Sequence, residues 1–195
     1  MKFNSKKVAF GRHETFALRY SWITKGFETL AKNPSIFTSE DATVVLGVGK
    51  NMVSAIRYWL LATRMVVVDS DHQLRPTALG KMVFGDGGYD PYLEDEGTIW
   101  LIHWLLSSNP QLATSWYWFF NRYHKQEFTS DECAAAIISF ADQNIQTKFS
   151  KRTVEQDIKV MLRMYAKSKG TGRSTLEDAL DSPLTLLNLV TRDTK

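Results

Sequence analysis

Only one stretch of the sequence reads as β-structure, and it is short. Met65-Val66-Val67-Val68-Asp69 is rich in β-branched residues, Ser70-Asp71-His72 has turn chemistry, and Gln73-Leu74-Arg75 returns as a second strand. Pro76 belongs at the strand end, because it has no N–H for the ladder. A lone two-stranded hairpin has little stability of its own and must be mounted on other elements. Everything around it has helical period, so the expected fold class is mainly α.

The flanking segments give the order of a winged helix-turn-helix: three helices, a β-hairpin wing, then another helix. Trp22 to Asn33 places Trp22, Ile23, Phe27 and Leu30 on one face and ends at Asn33-Pro34. Thr38-Ser39-Glu40-Asp41 is expected to open a second helix to Leu46, with Gly47 closing it. A third helix is expected from Lys50 to Arg64, and Thr77 caps a short one running to Phe84. Ala42, Leu46, Val48, Val53 and Ile56 are all apolar, as the locking positions of a helix-turn-helix require. On the third helix Val53, Ile56, Leu60 and Thr63 are expected inward. Lys50, Asn51, Ser54, Arg57 and Tyr58 are expected outward. Such side chains reach phosphates and base edges of duplex DNA. The wing would bring His72 and Arg75 to the backbone or minor groove. The same fold also serves as a protein–protein module.

Gly85-Asp86-Gly87-Gly88-Tyr89-Asp90-Pro91 is the expected boundary between a winged helix DNA-binding domain, 1–85, and a helical domain, 86–195. The second domain reads as helices over 96–106, 114–123, 130–142 and 152–166, then a basic linker over 167–174 and a last short helix from 174 or 175. Lys151 and Arg152 open the fourth of these, whose polar face continues with Gln156, Lys159 and Arg163. That face is either a second DNA surface or the solvated side of a packing helix. Trp100, Trp104, Trp116, Tyr117, Trp118, Phe119, Phe120 and Tyr123 fall at helical spacing and are expected in the core or between domains.

Charge follows the same division. Residues 1–85 hold twelve basic and six acidic side chains, 86–145 two and nine, and 146–195 ten and six. Two basic segments around an acidic one point to an anionic partner at the ends. A single cysteine, Cys133, leaves no internal disulfide, and on its Ala-rich helix it is expected to be an inert buried thiol. No apolar run reaches ~18 residues, and the polar start lacks the apolar stretch of a signal peptide, so the cytoplasm is the expected location.

Two groups have residue types suited to catalysis. His13 and Glu14, inside Gly11-Arg12-His13-Glu14-Thr15-Phe16, pair an imidazole with a carboxylate, a combination used for proton transfer or metal binding. Adjacent side chains usually diverge, and a buried, hydrogen-bonded histidine is the plainer reading. Asp86, Asp90, Glu94, Asp95 and Glu96, with His103 further on, have the oxygen and imidazole donors that hold Mg²⁺ or Mn²⁺. Carboxylates at a helix start also favour the macrodipole, and the spacing matches no known metal motif, so the metal ligands stay unassigned. There is no Walker loop, dinucleotide fingerprint or nucleophile elbow.

Several blocks resemble a known family. These are Phe10-Gly11-Arg12-His13-Glu14-Thr15-Phe16 with Leu18-Arg19, Trp22 and Lys25-Gly26; Leu46-Gly47-Val48-Gly49-Lys50-Asn51-Met52-Val53 with Ala55-Ile56-Arg57-Tyr58-Trp59; Gly97-Thr98-Ile99-Trp100-Leu101 with His103; and Asp181-Ser182-Pro183-Leu184. They are similar to the SspB-like proteins of bacterial DNA phosphorothioation (phage-defence) gene clusters, formerly a domain of unknown function. The resemblance implies a DNA-binding role in sulfur modification of the DNA backbone, with strand nicking to admit sulfur. It also implies a cysteine desulfurase and a PAPS-reductase-like sulfur transfer protein as partners. The implied family members extend beyond the last block, and no catalytic assignment carries over. A non-catalytic adaptor and a winged-helix transcription regulator are the alternatives.

Overall fold

The structure, a computed structural model, describes residues 2–166 and 182–192. The described residues form eight α-helices and one antiparallel hairpin, so the fold is mainly α. Helices α1 (Tyr20–Lys32), α2 (Ala42–Leu46) and α3 (Lys50–Ala62) precede strands β1 (Val66–Val68) and β2 (Leu74–Pro76), and α4 (Ala78–Phe84) follows. Helices α5 (Glu96–Ser107), α6 (Thr114–Arg122), α7 (Ser130–Asn144) and α8 (Lys151–Tyr165) form the second half. A 3₁₀ turn over Pro183–Leu187 packs on α8 and α5. The linker and last helix expected from 167 to about 175 lie outside the described residues.

Each element has a local cause. Helix α1 buries Trp22, Ile23, Phe27 and Leu30, as its period requires. Gly26 lets it approach α3 closely: a Cβ there would lie 2.5 Å from Ile56 Cγ2. Gly47 closes α2 in the left-handed conformation at φ 61°. The start of α2 differs from expectation. Ile36–Thr38 is a separate 3₁₀ turn and α2 begins only at Ala42. The Thr38 hydroxyl donates to Ser35 O (2.9 Å) and the Ser39 hydroxyl accepts from the Asp41 N–H (3.2 Å), so both bond locally and cap no helix. The hairpin pairs Val66 with Pro76 and Val68 with Leu74, which leaves the proline at the strand end. Thr77 caps α4, its hydroxyl accepting the Gly80 N–H at 2.9 Å.

Residues 2–19 form no regular helix or strand; they run over the second half of the chain. Gln146 N–H donates to Ser5 O, Ala9 N–H to Thr114 Oγ1, and Arg163 to Thr15 O, at 2.9, 2.9 and 2.8 Å. One hydrophobic core runs from Leu18 to Leu187, across the boundary expected near Gly85. That stretch is itself packed: Asp90 is buried, and its carboxylate accepts the N–H groups of Glu94 and Asp95.

Trp116, Trp118 and Phe119 are buried, whereas Trp100 and Trp104 are 43% and 61% exposed. They lie one turn apart on the outer side of α5, while Ile99, Ile102, Leu105 and Leu106 fill its inner side. Cys133 is buried, and burial pushes its thiol up to about 12. Among the described residues no helix is long and apolar enough to cross a membrane.

Candidate nucleic-acid interface

Helix α3 presents Lys50, Asn51, Ser54 and Arg57 to solvent, and no described side chain forms a salt bridge with Lys50 or Arg57. Tyr58 departs from this set. It is 8% exposed, and its hydroxyl donates to Leu112 O at 2.9 Å. The chain between α5 and α6 covers that edge of α3, a neighbour that the helical period alone does not reveal. Burial raises the Tyr58 hydroxyl well above its ordinary range, and the nearby Asp157 charge adds to the effect.

The Gly11–Thr15 loop lies beside this face. His13 is fully buried. Its Nε2 lies 2.9 Å from Asp157 Oδ1, and its Nδ1 accepts the Thr15 N–H at 3.1 Å. Because Nδ1 accepts, Nε2 carries the proton and donates to the carboxylate. Asp157 also accepts from the Gly11 N–H (2.7 Å) and from the Ser115 hydroxyl (2.8 Å). The imidazole stacks on Trp59 at 5.9 Å and meets the edges of Trp116 and Tyr58. His13 is thus a buried junction between the loop, α3, α6 and α8, with both ring nitrogens occupied. Glu14 points the other way and is exposed. With Lys7, Arg12, Ser54 and Arg57 it lines a cleft of about 530 Å³. Lys7, Ser115 and Asp157 are the contributions that the sequence pattern did not single out.

Arg75 is exposed on the hairpin, where its Nε donates to Asp69 Oδ2 at 2.9 Å. That bond, with the Gln73 N–H, holds the Asp69 carboxyl below the usual range. Lys151 pairs with Asp142 at 3.1 Å, and Arg152 beside it is exposed. Between α7 and α8 lies an irregular six-residue segment, 145–150. Elsewhere Lys125, Phe128, Lys159, Arg163, Val190 and Arg192 line a larger groove of about 1140 Å³.

Three carboxylates of the acidic run, those of Asp90, Asp95 and Glu96, are engaged at the start of α5. Asp90 accepts two backbone N–H groups, Asp95 caps α5 by accepting the Gly97 N–H, and Glu96 accepts from the Trp100 indole. His103 sits further along α5, its Nδ1 2.9 Å from the Tyr165 hydroxyl. Among the described residues no three His, Cys, Asp or Glu side chains converge to hold a metal ion.

Comparison with known proteins identifies the relatives. Residues 10–195 match the family of proteins of unknown function DUF4007. A crystal structure of magnesium-ion-bound SspB superposes with a TM-score of 0.85 at 33% identity, covering 94% of this chain and 56% of that one. A second SspB crystal structure gives 0.84 at 31%, covering 97% and 58%. The chain belongs to this SspB-like family. It spans a little over half the length of these SspB chains. No curated protein matches the sequence significantly. One of these SspB structures holds a magnesium ion, and among the described residues of this chain no three His, Cys, Asp or Glu side chains converge.

Proposed function

We propose that this chain is the duplex-DNA-binding component of a DNA phosphorothioate modification and defence system, with residues 20–84 acting as a winged helix module and α3 as its recognition helix. The observation that carries the reading is the outward face of α3, where Lys50, Asn51, Ser54 and Arg57 stand exposed. The family likeness to SspB supports the system to which it belongs. Lys and Arg on that face suit phosphates or guanine, Asn suits adenine, and Ser suits a phosphate oxygen. Arg75 on the wing and Lys151 with Arg152 at the start of α8 extend the footprint. Tyr58 contributes by fixing α3 to the rest of the fold.

The test is duplex binding across a salt series. Affinity is expected to fall steeply with salt through counterion release, and Arg57→Ala to weaken it about tenfold. Absence of measurable binding at low salt would overturn the reading. Strand nicking is the more demanding version of the proposal. Of the residues offered for it, His13 has both nitrogens engaged within the fold and Glu14 faces solvent, so Glu14→Gln is the variant to assay for open circles from supercoiled plasmid with Mg²⁺ or Mn²⁺. The proposed partners, a cysteine desulfurase and a PAPS-reductase-like protein, are tested by pull-down; a partner captured without any DNA affinity would favour an adaptor.

A further inference from the structure

The Gly11–Thr15 loop is strained and held in place from several sides. Gly11, Glu14 and Thr15 all lie in the left-handed region, at φ 71°, 50° and 68°. Two non-glycine residues there in succession are unfavourable, and such strain persists only where the surroundings over-determine it. Here they do. Asp157 accepts from Gly11 and His13, His13 Nδ1 accepts from Thr15, and Arg163 donates to Thr15 O. Strain held this firmly concentrates at functional sites. Its effect is to present Arg12 and Glu14 beside Ser54 and Arg57 in the 530 Å³ cleft, with Lys7 as a third cation. No described side chain forms a salt bridge with Lys7, Arg12 or Arg57, and Glu14 in the same cleft pairs with none of them. Leu61 and Leu112 add an apolar wall against which a sugar ring can pack. Three unneutralised cations, a hydroxyl and an apolar wall, with one carboxylate opposing, match a single sugar-phosphate unit.

We infer that this cleft seats one backbone phosphate of the duplex, held by Arg12 and Arg57 with Lys7 as a further charge, and that His13 and Asp157 are positioning residues that aim Arg12. The inference rests on the reading of α3 as a DNA-binding helix. It adds residues 7–15 to the footprint and gives the buried His13–Asp157 pair a purpose. Arg12 is exposed, so its removal leaves the core intact.

The experiment is the slope of log affinity against log salt on one duplex, for the full chain and its variants. Arg12→Ala is expected to lower the slope by about one, whatever the duplex sequence. Glu14→Gln is expected to raise affinity at low salt by about threefold, as removal of a like charge from a phosphate seat should. Asp157→Asn keeps the side-chain shape but replaces an acceptor with a donor. It is expected to lower the slope as Arg12→Ala does, and Arg12→Ala added to it should change the slope no further. If Arg12→Ala leaves the slope unchanged while Lys50→Ala lowers it, the phosphate seat is overturned and the α3 reading stands. If Asp157→Asn lowers the melting temperature but not the slope, the positioning role is overturned. A wild-type chain without duplex affinity at low salt overturns the α3 reading and this inference together.

Discussion

Gly11 shows how narrowly single residues hold the site together. Its φ of 71° lies in the left-handed region, and a Cβ there would come within 2.5 Å of Thr153 Cγ2 on α8. Gly11→Ala is expected to lose about 1–3 kcal/mol of unfolding free energy. Thr153→Ser, which removes the clashing methyl, should restore only the steric share in a double variant, with denaturant titration as the measurement. His103 offers a second check. It is partly buried beside Phe120 and Tyr165, and desolvation lowers its pKa to about 4 from 6.5. Between those values the unfolded chain binds more protons than the folded one. Its contribution to stability is therefore full above about pH 6.5 and lost as the pH falls toward 4. The melting temperature should drop over that window, and His103→Asn should flatten the drop. Part of this chemistry was legible in the sequence. Gly11-Arg12-His13-Glu14 stood out, and divergence of the adjacent pair followed from chain geometry. The partner did not stand out: Asp157 lies on the buried side of α8 with Val154, Ile158 and Met161. An acid on an inward stripe signals a buried acceptor, but nothing local says which donors, from residues 11, 13 and 115, will meet it.

At the scale of elements, most helices were readable because apolar period and punctuation agree. Thr77 is a case in which the cap itself was legible, and it can be tested. Its hydroxyl accepts the Gly80 N–H and also donates toward Arg64 O and Met65 O, so it ties α4 to the hairpin. Thr77→Ala is expected to cost about 1–2 kcal/mol, and Thr77→Ser to retain most of it, as read from thermal and denaturant unfolding. Departures from the reading arose where two physical rules competed. Thr38 and Ser39 are good cap residues, but their hydroxyls bond nearby backbone groups, and α2 shrinks to Ala42–Leu46. Tyr58 follows Arg57 on the border of α3, and whether a border residue is covered depends on a distant segment, here Leu112. Trp100 and Trp104 share α5 with a full inner stripe, so their ring area is left outside.

Across the whole molecule, the charge pattern and the chain path belong together. The basic first and last segments flank an acidic one in sequence, yet the strained loop joins them in space. Gly11 and His13 meet Asp157 of α8, Arg163 of α8 reaches Thr15, and Arg12 of the same loop shares a cleft with Arg57 of α3. The exposed Ser54 and Arg57 of α3 thus share a cleft with a loop that is bonded to a helix far later in the sequence. The sequence boundary at 85–91 marks a change of charge and composition. The core that includes Leu18 and Leu187 and the path of residues 2–19 join the parts on either side. Such a chain is expected to unfold as one cooperative unit. Two probes report on opposite parts. Trp59, fully buried on α3, follows the first by fluorescence once the other tryptophans are replaced by phenylalanine. Cys133, buried on α7 with its thiol raised to about 12, follows the second by alkylation, since it reacts only when exposed. Both transitions are expected at the same denaturant concentration and with the same slope. Separate midpoints would show that the loop joins two independently stable units, and Gly11→Ala should then widen the gap between them.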